Sequence, residues 1–167
     1  MTKRFLIFTV VLVLTVPVHG SAQSKADLVG TWKLVSATET TKEGEVRAAY
    51  GWENEGLLTY TVDGRMMSIT TKRGRKPLSV PDNIGAPAEE RAEAFATMTA
   101  YAGSYTLKGD RVIHHIEVSS MPNAVNTDQV RLITNLKGNS LSLRILTMVN
   151  AGPQIAYREF VWERISK

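Results

Sequence analysis

The stretch Leu57-Leu58-Thr59-Tyr60-Thr61-Val62, Asp63-Gly64, Arg65-Met66-Met67-Ser68-Ile69-Thr70-Thr71 decides the fold. Two runs of β-branched, aromatic and aliphatic residues flank a two-residue Asp-Gly turn. That pattern predicts a β-hairpin, because glycine supplies the positive φ that a tight turn needs. It recurs downstream. Lys108-Gly109-Asp110 separates Ser104–Leu107 from Arg111–Ser119, and Lys137-Gly138-Asn139 separates Val130–Leu136 from Ser140–Met148. Further strands are expected at Gly30–Thr40, about Glu45–Tyr50 and about Gln154–Ile165. This gives eight or nine antiparallel strands joined mainly by local turns.

One segment departs from the pattern. Pro87–Ala100 is rich in Ala and Glu, with Ala88, Ala92, Phe95 and Thr99 at helical spacing. It predicts one helix, covering a side or end of the sheet. The meander order closes into a barrel without crossings. Mixed polarity on both faces of Val130–Leu136 suits a barrel whose interior is partly wet better than a dry sandwich.

The chain has 167 residues, 43% hydrophobic and 22% charged, with no cysteine. This excludes a disordered chain, a disulfide scaffold, a thiolate metal site and a cysteine nucleophile. Lys3 and Arg4 precede the apolar run Phe5–Val18, and Gly20-Ser21-Ala22 supplies small residues. These are the parts of a secretory signal peptide, with the cut expected after Ala22 and an uncleaved membrane anchor as the alternative. Residues 23–167 then form one domain, periplasmic or secreted, with 18 basic against 16 acidic side chains. That near-balance gives no basic stripe for nucleic acid. No second long apolar run follows, so no stable membrane insertion is expected after cleavage.

Leu28-Val29-Gly30-Thr31-Trp32-Lys33-Leu34 resembles the opening strand of lipocalin-type barrels. The chain more specifically resembles the bacterial and fungal lipocalin-like domain family. The matching stretches are Gly56–Met66, Tyr101–Tyr105, Val112–Ser119, Pro122-Asn123, Thr127–Arg131 and Val161–Arg164. Ala124 and Asn126 stand where the family often has tryptophan and glycine. The resemblance implies an up-and-down, calycin-like β-barrel with an internal pocket for a small apolar or amphipathic molecule. It does not imply a reaction.

Candidate site residues follow from strand alternation. His115 and Glu117 share one face of a strand, while His114 shares the other with Val112 and Ile116. His115 with Glu117 could form an acid/base dyad. A metal site would need a third protein ligand that the sequence does not supply, so neither metal nor cofactor is expected. The bland alternative is cross-strand hydrogen bonding. Gln129 and Arg131 share a face of the next strand, and Arg131 could meet Glu117 or a ligand carboxylate. Tyr60 and Met66 are candidate pocket contacts, against ordinary core packing. The binding set is therefore Tyr60, Met66, His114, His115, Glu117, Gln129 and Arg131. An isomerase, cyclase or dehydratase using the His/Glu/Arg cluster is the alternative function. Lys72-Arg73-Gly74-Arg75-Lys76 is the one dense basic run. It reads as a solvated loop, or as an anion-attracting rim.

Overall fold

The computed structural model describes residues 24–82, 84–146 and 154–167. The signal segment expected at residues 1–22, and the end of the strand expected to reach Met148, lie outside the described residues.

Among the described residues, the strands are β1 Gly30–Thr41, β2 Val46–Ala48, β3 Asn54–Tyr60, β4 Arg65–Lys72 and β5 Met98–Lys108. They continue with β6 Arg111–Ser119, β7 Asp128–Lys137, β8 Ser140–Ile145 and β9 Ile155–Ser166. The sheet runs β1-β3-β4-β5-β6-β7-β8-β9, and β9 returns to pair with β1. Eight antiparallel strands thus close a barrel. The short β2 folds back on the end of β1 outside that ring, pairing Thr38 with Ala48 and Thr40 with Val46.

The connections sort by length. The three glycine turns, at Gly64, Gly109 and Gly138, all lie at one end, and each glycine takes a positive φ (89°, 59° and 58°). The long connections, β4 to β5 and β6 to β7, lie at the other end. The short-turn end is closed by α1, Lys25–Leu28, whose Leu28 is fully buried. Trp32 donates its indole N–H to the Leu28 carbonyl at 2.9 Å. The Arg164 guanidinium lies 4.0 Å from the Trp32 ring centroid and bonds the carbonyls of Asp27, Val29 and Gly138. Above this plug, Leu34, Leu58, Tyr60, Met66, Tyr105, Val112, Leu141 and Trp162 fill the barrel floor. Burial of this apolar set is the main stabilising term.

The helix is shorter than its composition suggests. α2 spans Ala88–Ala96 and buries no side chain, and Phe95 is half exposed. Thr97 ends it by donating its hydroxyl to the Glu93 carbonyl at 2.7 Å. Met98–Gly103 then continues as strand, pairing Thr71 with Met98 and Ile69 with Ala100. Sheet pairing along β4 overrides the helical preference of the alanines. Among the described residues no helix is long and apolar enough to cross a membrane.

Candidate functional site

Strand register sorts the candidate residues by face. On β6, Val112, His114 and Ile116 point inward, opposite Leu107, Tyr105 and Gly103 of β5. A register shift between Ala102 and Gly103 then turns Val118 outward, so the inward row stops at Ile116 before resuming near Ser119. Gly103 is required at this crossing, because a Cβ there would collide with the backbone carbonyl of His115. On β7, Gln129 and Arg131 point inward, paired with His114 and Val112.

His114 is the inward histidine and is 1% exposed. Its Nε2 lies 2.6 Å from the Tyr60 hydroxyl and its Nδ1 lies 3.3 Å from the Tyr101 hydroxyl. Burial first, then the charge of Arg131 and the neighbouring His115, pushes its pKa well below the ordinary imidazole range. The ring is therefore neutral and carries one N–H. We assign the short contact as Tyr60 O–H donating to Nε2, and the longer one as Nδ1–H donating to Tyr101. Burial, reinforced by Tyr101 and Tyr105, holds the Tyr60 hydroxyl well above its usual range, and Arg131 opposes this. Tyr60 thus remains a proton donor.

Arg131 is 8% exposed. It donates to the Gln129 side-chain oxygen at 2.7 Å and to the Val130 carbonyl at 3.2 Å. Among the described residues no carboxylate lies within ion-pairing distance of it. Closer to the long-connection end, Glu39 is buried between Arg158 at 3.0 Å and Arg47 at 2.9 Å. Burial pushes the Glu39 carboxyl up, but these two guanidinium groups outweigh it and hold the pKa below the ordinary value.

Exposure grades along the interior. The floor residues are sealed, whereas inward-facing Thr70, Tyr101, Gln129 and Ile145 are partly exposed. The inward-facing side chains nearest the long connections are thus partly open to solvent, whereas His114 and Arg131 are buried. Two concave surfaces lie elsewhere, one along Pro77–Pro81 and one on the outer face at Lys33, Glu55, Leu57, Ile69 and Thr71.

The remaining candidates occupy the outer face. Glu117 takes a two-pronged pair from Arg65 at 2.7 Å in each arm, and these bonds hold its carboxyl below the ordinary range. His115 bridges Asp128 at 2.6 Å and the Thr106 hydroxyl at 2.9 Å. His115 and Glu117 therefore serve separate outer contacts and do not meet as a dyad in the interior. Arg131 and Glu117, expected as possible partners, face opposite sides of the sheet. Met66 is buried in the floor, while Met67 next to it points out. Of the seven candidate residues, the fold brings Tyr60, His114, Gln129 and Arg131 into one polar interior, with Met66 in the floor.

Two interior contributors were not in the candidate set. Tyr101 precedes the expected start of its strand, and Glu39 lies near the end of a strand whose bulge at Leu34–Ser36 shifts the alternation. In the basic run, Lys72 approaches Glu93, Arg73 approaches Glu53, and Arg75 donates to the Ala94 carbonyl, so the segment is tied to its own surroundings. Among the described residues no three His, Asp or Glu side chains gather as a metal-binding group.

The chain matches no curated protein. A family model for the lipocalin-like domain matches residues 29–165, from the strand that carries Trp32 to the one that carries Trp162. With that match across the whole closed barrel, the chain belongs to the lipocalin-like domain family.

Proposed function

We propose that this is an exported protein that binds a small amphipathic molecule inside its barrel. The observation that carries the reading is the graded interior. A sealed apolar floor and the buried Arg131 lie beneath a partly exposed layer that contains Tyr101 and Gln129. Such a combination suits ligand sites, where apolar contact supplies affinity and a few polar groups set orientation. Burial of about 300 Å² of apolar ligand surface would supply roughly 7 kcal/mol gross. Losses on immobilising the ligand bring the expected affinity to the micromolar range. Lys3, Arg4, the Phe5–Val18 run and Gly20–Ala22 support export.

The test is native mass spectrometry of protein purified from its own host. A retained small molecule, on a chain that starts at Gln23, is the expected result. A full-length chain would overturn the export step. Failure to retain any molecule, together with failure to bind uncharged amphiphiles in titration, would overturn the binding step.

One observation favours a second reading, proton-transfer catalysis such as isomerisation. The neutral His114 between two tyrosines is a chain of groups able to pass a proton. The histidine of that reading is His114, since His115 and Glu117 lie outside. Turnover of a bound ligand that His114→Gln abolishes, with affinity kept, would select it.

A further inference from the structure

Arginines in this protein generally find acceptors. Arg47 and Arg158 share Glu39, Arg65 holds Glu117, and Arg144 holds Glu159. The buried Arg164 bonds three backbone carbonyls and covers the Trp32 ring. Arg131 is as buried as Arg164, yet it has only a side-chain amide and its own neighbour's carbonyl. A buried cation with weak compensation is unfavourable unless an anion arrives.

A proton count identifies a second donor in the same interior. The neutral His114 ring has one N–H, so only one of its two tyrosine partners can donate to it. Tyr60 makes the 2.6 Å contact and is that donor. Tyr101 therefore accepts, and its own O–H is left to donate to something else. Among the described residues no acceptor lies within bonding distance of it other than the His114 ring.

We infer that the interior recognises an amphipathic monocarboxylate, with the carboxylate on the Arg131 guanidinium and the Tyr101 hydroxyl as a second donor. This rests on the small-molecule-binding reading and names its ligand class. Glu39 is already held by Arg158 and Arg47, so it does not neutralise Arg131. The planar two-pronged guanidinium matches the two oxygens of a carboxylate. Because the floor below is filled, the head lies deep and the tail runs toward the long-connection end.

The experiment titrates the full mature chain with 11-(dansylamino)undecanoic acid and with its methyl ester, following dansyl fluorescence. The acid is expected to bind at least tenfold more tightly than the ester. Arg131→Met should remove that preference, weakening the acid at least tenfold more than the ester. Tyr101→Phe should weaken the acid more than the ester. Equal binding of acid and ester by the natural chain would overturn the monocarboxylate assignment and leave small-molecule binding standing. Binding of neither would overturn both. Should Arg131→Met fail to fold by circular dichroism, Arg131→Gln replaces it. A full tenfold acid preference surviving in either folded variant would also overturn the assignment.

Discussion

Replacing His114 by glutamine isolates a proton that the barrel refuses. In the unfolded chain a histidine titrates near its ordinary value of 6.5, whereas burial and Arg131 hold the folded ring neutral well below that. Between the folded pKa and 6.5 the unfolded chain binds one more proton than the native one. Stability is therefore complete above about pH 7 and falls as acid is added, by up to about 1.4 kcal/mol per pH unit. From pH 6.5 to 5.0 the His114 contribution reaches at most about 2 kcal/mol. The carboxylates with lowered pKa values, Asp27, Glu39, Asp63 and Glu117, have ordinary values of 3.8 or 4.5 and act mainly below this window. Glutamine at 114 can still accept from Tyr60 through its amide oxygen, but it does not titrate. Urea unfolding at several pH values, read by the fluorescence of buried Trp32 and Trp162, measures the difference. The natural chain should lose stability relative to His114→Gln as pH falls from 6.5 to 5.0. Parallel curves for the two proteins, or a native chain that gains on the variant in acid, would refute a neutral buried ring.

Trp32→Ala removes the plug at the closed end, with its bond to Leu28 and its contact with Arg164, and should cost about 3–5 kcal/mol in chemical denaturation. Glu39→Gln leaves Arg158, whose side chain is 12% exposed, without its charge partner, and should lower unfolding stability by about 1.5–3 kcal/mol. His115→Gln and Glu117→Gln alter only outer contacts, so each should leave affinity for the dansyl acid within about twofold, and a tenfold loss in titration would mean that those side chains reach the ligand.

The barrel was legible because its signals are local. Each Asp-Gly or Lys-Gly turn announces a hairpin within a few residues, and the Gly30–Trp32 start with the Val161–Arg164 close fits the expected first and last strands. Asn126 shows why the family favours glycine there: its φ is 61°, a left-handed conformation that asparagine tolerates better than most residues. The facing of the site residues was less legible, because alternation fixes which residues share a side but not which side is inside. Val130 and Arg131 make the point. The apolar side chain is 45% exposed and the charged one is buried, opposite to what polarity predicts. Bulges then interrupt the period at Leu34–Ser36, at Ile116–Val118 and at Ile133–Asn135, each moving later residues to the other face. Tyr101 was hidden for another reason. An alanine-rich run reads as helix until its pairing with β4 is known, and that pairing is not local.

The same arrangement explains how a barrel this small can hold a buried cation among polar groups. Stability and recognition occupy opposite ends. The short turns draw strand ends together over α1, where Trp32, Leu58, Leu141 and Trp162 bury almost completely and tolerate no solvent. The long connections leave the other ends less constrained, and there Tyr101 and Gln129 are partly exposed above the buried His114 and Arg131. Three consecutive strands, β5 to β7, bring Tyr101, His114, Gln129 and Arg131 into this layer, and Tyr60 anchors it from the floor. Tyr60 is the joint between the two regimes. Its ring packs against Tyr105 with centroids 4.7 Å apart, while its hydroxyl fixes the His114 ring and hence which tyrosine proton is left over. Loss of that one hydroxyl in Tyr60→Phe would leave the floor filled but remove the short donor to Nε2, freeing Tyr101 to donate to the ring instead. The interior would then keep its shape and its charge while losing one of its two donors for an incoming anion.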